Sequence, residues 1–425
     1  TSTWQLFGPT ATSTDFKINN VPLYTQTYSQ YPSYASTTDW HNNLYAGSST
    51  IDCGQGAGVT STIGYCGCAI TSVVMWLRYF GITTDGQGND VNPGNLNAWL
   101  TNHSGYDVNG NFKWDRITDY ASSTSGLIIY DANSTSYGSS ASALRPYVDS
   151  NLSSTTPNPV IIRESANDHF VVATGFAQNA GTSTYTTRDT VWYLTKYLNQ
   201  TSSTDIYGYN NAMDGIRVYY DPLEAPPVSE YHVNSPNTIM LVDSQGRRTG
   251  KDPSTGIFYR EIPGTSYGED GLSPTNRVGE LFVSGVQDGQ YTLYVLGGKT
   301  GPYWVDLGIN DRQHPHKDQI IRGDIQAGSM IAYTQIYDST NLANSTLTFQ
   351  QIISSTEIIT SASPHNLPPP PVSVPVTSSS PPSPLFYSVA PLAPTTSTLN
   401  NSSSTTFSPM QITTSSAPST TATTQ

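Results

Sequence analysis

The sequence predicts an α+β unit over residues 1–221, a Pro-rich linker at 222–230, an all-β sandwich over 231–355 and a disordered Ser/Thr/Pro tail over 356–425. Three observations carry this reading. Ile70, Val73, Val74, Leu77 and Phe80 fall on one helical stripe, whereas residues 160–162 and 170–173 form short apolar runs of strand type. Strand-and-turn patterning fills the stretch after Asp221, without a convincing amphipathic helix. From Thr360 to Gln425 there is no Lys, Arg, Asp or Glu.

Composition narrows the function classes. At 425 residues the chain is long for one core, and two or three units are expected at about 150 residues each. Acidic residues outnumber basic ones 31 to 18, for a net charge of -13, a balance that argues against a non-specific nucleic-acid binder, which wants a basic stripe. No run of apolar residues reaches the length of a membrane-spanning helix. The opening Thr1-Ser2-Thr3-Trp4 has no basic or apolar leader pattern, as in a mature form whose signal was removed or a chain that had none. Few charges and abundant Ser, Thr, Asn and Tyr suit an extracellular or cell-surface protein.

The elements follow in order. Extended, Tyr-rich segments come first. A helix is expected from Ala69 to Phe80, stopped by Gly81, and a shorter one from Asn95 to Leu100 after Pro93-Gly94. Residues 160–162 and 170–173 read as buried strands, and residues 185–188 as a partner of the second. Asp221-Pro222 to Pro226-Pro227 reads as the linker. In the sandwich, residues 291–295 and 304–309 have strand composition and flank the turn cluster Gly297 to Pro302. The tail, with Pro368 to Pro371 and dense Ser/Thr, cannot bury enough apolar surface to offset chain entropy. It reads as a stalk for cell-surface or cell-wall association.

The chain has three cysteines, Cys53, Cys66 and Cys68. An odd count leaves one thiol over. Cys53 and Cys66 bracket a Gly-rich loop and could pair, which would leave Cys68. Zinc is a poor fit, because Cys66-Gly67-Cys68 lacks the spacing of a zinc knuckle. Cys68 stands at the mouth of the first helix, where unpaired N–H groups favour negative charge, the form in which a thiol is nucleophilic. His169 heads the strand 169–175 and Asp189 ends the next extended run. Adjacent strands would bring base and orienting acid together, the arrangement nucleophilic catalysis requires.

These residues carry a resemblance. Gly67-Cys68-Ala69-Ile70-Thr71-Ser72-Val73-Val74-Met75, ending in Tyr79-Phe80-Gly81, resembles the nucleophile helix of bacteriocin-processing-type cysteine peptidases in their broad bacterial branch. Val21 to Gln26 resembles the family's N-terminal segment, and Asn92 to Leu100 its second helix. Residues 159–163 and 168–175 resemble its histidine hairpin, and 185–189 the strand bearing the acid. The likeness covers roughly residues 20 to 220. It implies a papain-like fold, a Cys68–His169–Asp189 triad and Gln26 as a donor to the oxyanion. Two alternatives stay open at the site: Cys66 as the reactive thiol and Gln55 as the donor. The family often shows Asp-Pro where this chain has Asp189-Thr190.

Other features read as structural. Asp107 to Asn111 loosely matches a calcium loop, but its Gly falls early and no Glu stands at the twelfth place. His314-Pro315-His316 is read as a surface loop. Asn102, Asn133, Asn151, Asn199, Asn344, Asn400 and Asn401 fit the N-glycosylation pattern. No cofactor is expected. The expected partner is a peptide or protein substrate, with no nucleic acid. The expected activity is secreted or surface-bound peptide hydrolysis; an inactive scaffold in a surface assembly and a cell-wall peptide amidase are the alternatives.

Overall fold

A computed structural model of the chain describes residues 18–27, 40–56, 58–122, 129–131, 141–155, 157–164, 168–179, 182–191, 195–199, 213–220, 227–252, 255–273, 277–310 and 316–354. Most of the linker, the whole stalk, His314 and Asn133 lie outside the described residues. The described residues all belong to one compact unit.

The apolar stripe after Gly67 becomes a helix because its i, i+3, i+4, i+7 side chains have a core to enter. Helix α2 (Cys68–Tyr79) buries Ile70, Val73, Val74 and Leu77, and follows the single turn α1 (Ile63–Cys66) directly. Gly81 ends it in the left-handed region at φ 79°, with the Ile82 amide returning to the Leu77 carbonyl at 3.0 Å. Helix α3 (Pro93–Asn102) starts on an Asn92 side chain that accepts from the Asn95 amide, with Pro93 in the first turn. Two more helices follow, α4 (Arg116–Ser122) and α5 (Ala141–Leu152).

Helix α2 packs on an antiparallel sheet of six strands: β1 (Ile129–Asp131), β2 (Val160–Glu164), β3 (His169–Asn179), β4 (Thr182–Asp189), β5 (Thr195–Tyr197) and β6 (Gly215–Tyr220). Their order is β1-β6-β2-β3-β4-β5. The runs at 160–162 and 171–173 are buried throughout, which is why they lack an alternating pattern.

Eleven further strands form two antiparallel sheets around one core. The six-stranded sheet runs β10 (Phe258–Arg260), β9 (Arg248–Lys251), β8 (Thr238–Val242), β13 (Gly289–Leu296), β16 (Ser329–Tyr337), β17 (Leu347–Ser354). The five-stranded sheet runs β11 (Thr265–Gly271), β12 (Arg277–Ser284), β7 (Val228–Asn234), β14 (Gly301–Asn310), β15 (Lys317–Ile325). Ile239, Leu241, Leu293 and Val295 from the first meet Tyr231, Val233, Leu281 and Val305 from the second.

The expected α+β papain-like class is therefore corrected. Among the described residues, seventeen strands in three sheets dominate, and the five helices are short, none longer than 12 residues. The stripe at 69–80 is a strong local signal, but it accounts for one helix rather than a helical layer. From residue 160 onward the described residues pair mainly as strand with strand.

A buried set of charges ties the segment 107–116 to the sandwich. Lys113 Nζ lies 3.1 Å from Asp306 on β14, with the two side chains 3% and 1% exposed, and it also reaches Asp318. Burial would lower the Lys113 pKa, but Asp306 and Asp318 outweigh it and hold it raised. His232 on β7 stands between Asp107 (Nδ1 to Oδ2, 3.0 Å) and Glu230 (Nε2 to Oε1, 2.7 Å). Burial pushes its pKa down, yet these two carboxylates raise it well above the ordinary value, which favours the charged ring. Glu230 also accepts the Asp115 amide at 2.9 Å. Burial and the Glu230 charge push the Asp115 carboxyl well up. Arg217 on β6 completes the joint, 2.7 Å from Glu280 on β12 and stacked over Trp114 and Phe282.

Removing one member of such a pair leaves a buried charge unmatched, at about 3–5 kcal/mol. Lys113→Met is therefore expected to lower stability by about that amount in urea unfolding. Lys113→Met combined with Asp306→Leu should recover part of the loss.

Candidate active site

Cys68 is the first residue of α2 and the free thiol among the three cysteines; its side chain is half-buried. The two neighbours are spoken for, because Cys53 and Cys66 form a disulfide with Cα atoms 5.5 Å apart. Cys66 is thus not a free thiol. Gly67, between bridge and thiol, has no room for a side chain: a Cβ there would come within 2.6 Å of the Ile63 carbonyl oxygen. That close approach lets α1 run into α2 without a loop, so the bridged turn fixes where the free sulfur begins its helix.

His169 opens β3 after Asp168, whose φ of 50° turns the chain into the strand. The strand register decides which acid it meets. Asn179 pairs with Thr182 and the pairing runs regularly to Gly175 opposite Thr186, then shifts, so that Ala173 faces Thr187 and Val171 faces Asp189. The extra residue is Thr174. Without this bulge Asp189 would lie opposite Val172, on the other face of the sheet. With it, Asp189 shares a face with Val171 and hence with His169 two residues earlier, a diagonal pair within side-chain reach. His169 Nε2 lies 3.2 Å from Asp189 Oδ1. Asp189 is fully buried and also accepts the Val191 amide at 2.8 Å.

Cys68 lines the same cleft as this imidazole, close enough to act on its charge. Burial works against the charged ring. The hydrogen bond with Asp189 and then the nearby Cys68, together with their charges, overcome it and raise the His169 pKa to about 10. Cys68, His169 and Asp189 are thus brought together from a helix start and two neighbouring strand ends.

Gln26 arrives on a separate segment. The bulged Thr174 carbonyl accepts the Ile18 amide at 2.6 Å, and the Thr190 carbonyl accepts the Gln26 amide at 2.6 Å, so residues 18–27 dock along this sheet. The Gln26 side chain spans the cleft. Its Nε2 donates to the Gly64 carbonyl at 3.0 Å, four residues before Cys68, and its Oε1 accepts from the Thr190 hydroxyl at 3.0 Å. One amide N–H is thereby used, which leaves a second, because a carboxamide has two. Gln55 does not share this cleft. Its amide donates to the Ile51 carbonyl at 2.9 Å and the Ser61 hydroxyl at 3.1 Å, within its own loop.

Thr190, a departure from the family's Asp-Pro, was not a sequence candidate. Its hydroxyl donates to Gln26 and lies 3.4 Å from His169 Nε2, so it links the two side chains. The only sequence signal was that departure itself. Also missed were Gly271, Leu272 and Glu280, residues of the sandwich half that line the same cleft. Asp107 closes a polar turn, accepting the Asn109 amide at 2.8 Å and the Asn111 amide at 2.9 Å, and faces His232 rather than a ligand site. Among the described residues no group of His, Cys, Asp or Glu is arranged to hold a metal ion. His316 instead lies 2.9 Å from Asp318 within the buried charge set.

No family model, no curated protein and no solved structure matches the chain.

The bridge closes a 13-residue separation just before the nucleophile. Chain-entropy arguments give about 3 kcal/mol for a loop of this size. Replacing Cys53 and Cys66 together by Ser is expected to lower stability by roughly that amount. The check is thermal unfolding alongside a thiol count, which should stay at one.

Proposed function

We propose that the protein is a secreted or cell-surface cysteine peptidase that hydrolyses peptide bonds through Cys68, His169 and Asp189, with Gln26 steadying the oxyanion. The observation that carries this reading is the imidazole of His169 held between a buried carboxylate and a free thiol at a helix start. The reading rests on the site rather than on a fold class. The order of motifs shared with bacteriocin-processing-type cysteine peptidases supports it. The disulfide suits an oxidising compartment outside the cytosol, and the uncharged Ser/Thr/Pro tail suits a surface stalk.

The chemistry follows from the geometry. The Cys68 sulfur attacks a peptide carbonyl carbon as the anion, with the His169 imidazolium as counter-charge. Charge moves to the carbonyl oxygen, where the second Gln26 N–H donates. The C–N bond breaks as His169 gives its proton to the leaving amine. Water then attacks the thioester, His169 takes a proton from it, and the acid product leaves with the thiolate restored. Asp189 holds the ring through Nε2, so Nδ1 is the nitrogen left to face sulfur.

Cys68→Ala is expected to abolish hydrolysis of unfolded casein and labelling by iodoacetamide; full activity in this variant would end the proposal. Gln26→Ala should lower kcat by 10²–10³, about 2.7–4 kcal/mol in the barrier. The pH profile has a definite sign. His169 is raised to about 10 from an ordinary value of 6.5, so its stabilising charge is complete below about 6.5 and is lost as pH climbs through about 10. Activity needs the protonated ring and should fall on the alkaline side near pH 10. Asp189→Asn should move that limb to lower pH.

A further inference from the structure

The cleft is not built by the nucleophile helix and the first sheet alone. Leu272, just after β11, lines it as well, and the described residues on either side of the β11–β12 connection are tied to the first half of the chain. On one side the Leu272 amide donates to Asn111 Oδ1 at 3.1 Å, and the Ser273 hydroxyl donates to Asp52 Oδ2 at 3.1 Å, one residue before the bridged Cys53. On the other, Arg277 lies 3.3 Å from Asp168, the residue that leads into His169. Leu272 itself is partly buried against the core shared by α2 and the first sheet.

The lining also says what the cleft accepts. Its carboxylates are already matched, Asp168 by Arg163 and Arg277, and Glu280 by Arg217 at 2.7 Å. Tyr45, Phe112 and Phe170 add ring surfaces beside Leu272. The cavity has a volume of about 110 Å³. An apolar cavity of about 150 Å³ takes benzene, so this one suits a branched aliphatic group better than an aromatic one.

We propose that the β-sandwich supplies the specificity wall of the cleft, with Leu272 as its selecting side chain, and that the cleft takes one uncharged aliphatic side chain on the acyl side of the bond. This inference rests on the peptidase reading above. It makes the sandwich a part of substrate recognition. The residue that stays joined to sulfur would press its side chain between the bridged turn and Leu272. A charged side chain there would lose its water and meet carboxylates and guanidinium groups that already satisfy one another.

The test uses blocked peptide chloromethyl ketones that end in Gly, Val, Leu, Phe or Lys. Sulfur displaces chloride, and the adduct on Cys68 is followed by mass, so turnover is not needed. Iodoacetamide serves as a probe blind to the cavity. The wild type should react at least about tenfold faster with the Val and Leu reagents than with Phe or Lys, the discrimination a change of this size in an apolar pocket gives. Leu272→Ala should raise the Phe-to-Leu rate ratio about tenfold, with the iodoacetamide rate unchanged. Ser273→Ala, which frees the wall from Asp52, should move the ratio in the same direction, and Leu272→Met should keep the wild-type preference as the folding control. A Cys68 that reacts with iodoacetamide while these variants leave the preference unaltered overturns this inference alone. A wild-type Cys68 inert to every reagent overturns the peptidase reading as well.

Discussion

Buried charge is the constraint on which the rest of this molecule depends. Lys113, His232 and Arg217 are buried cations, each meeting a carboxylate from the opposite side of one internal boundary, and His232 also meets Glu230 on its own strand. Asp107 and Lys113 lie on the segment leading into α4, and their partners lie on β7 and β14. Such groups repay their lost hydration only with the geometry intact, so they act as a registry device more than as glue. They fix residues 107–116 against the five-stranded sheet. Asn111 and Phe112, which line the cleft, are carried by that same segment.

The site shows a second kind of dependence, on one inserted residue. Thr174 carries no catalytic chemistry. Its insertion sets Asp189 on the face of His169, and its carbonyl anchors the segment that delivers Gln26. The placement of His169, Asp189 and Gln26 thus has a common origin in one irregularity of a strand pair. Thr190 then connects them, with its proton on Gln26 and its oxygen toward the ring.

What the sequence made legible was local. The helix after Gly67 could be read from its stripe, and its N-terminal thiol from the arithmetic of three cysteines. His169 and Asp189 stood out because each ends a recognisable run. The bulge was not legible: 170–175 looks like an unbroken apolar strand, and only pairing partners reveal an extra residue. The fold class was misjudged for a related reason. One strong helical stripe says little about the balance of layers when the remaining helices are short. Leu272 lies more than 200 positions from Cys68, and no local pattern ties a turn in one half to a thiol in the other. The boundary drawn at residue 221 came from proline content, which marks a break in secondary structure but not whether the two sides share a core.

The bridge at Cys53 and Cys66 also has a consequence for how the chain matures. Three thiols allow three single pairings, and two of them consume Cys68. Either of those two pairings would leave the helix without its free thiol, while folding first holds Cys53 and Cys66 together. Thiol–disulfide shuffling must then favour the one pairing in which the helix begins with its sulfur unspent. A reductant strong enough to rescue mispaired chains also threatens the turn that presents that sulfur.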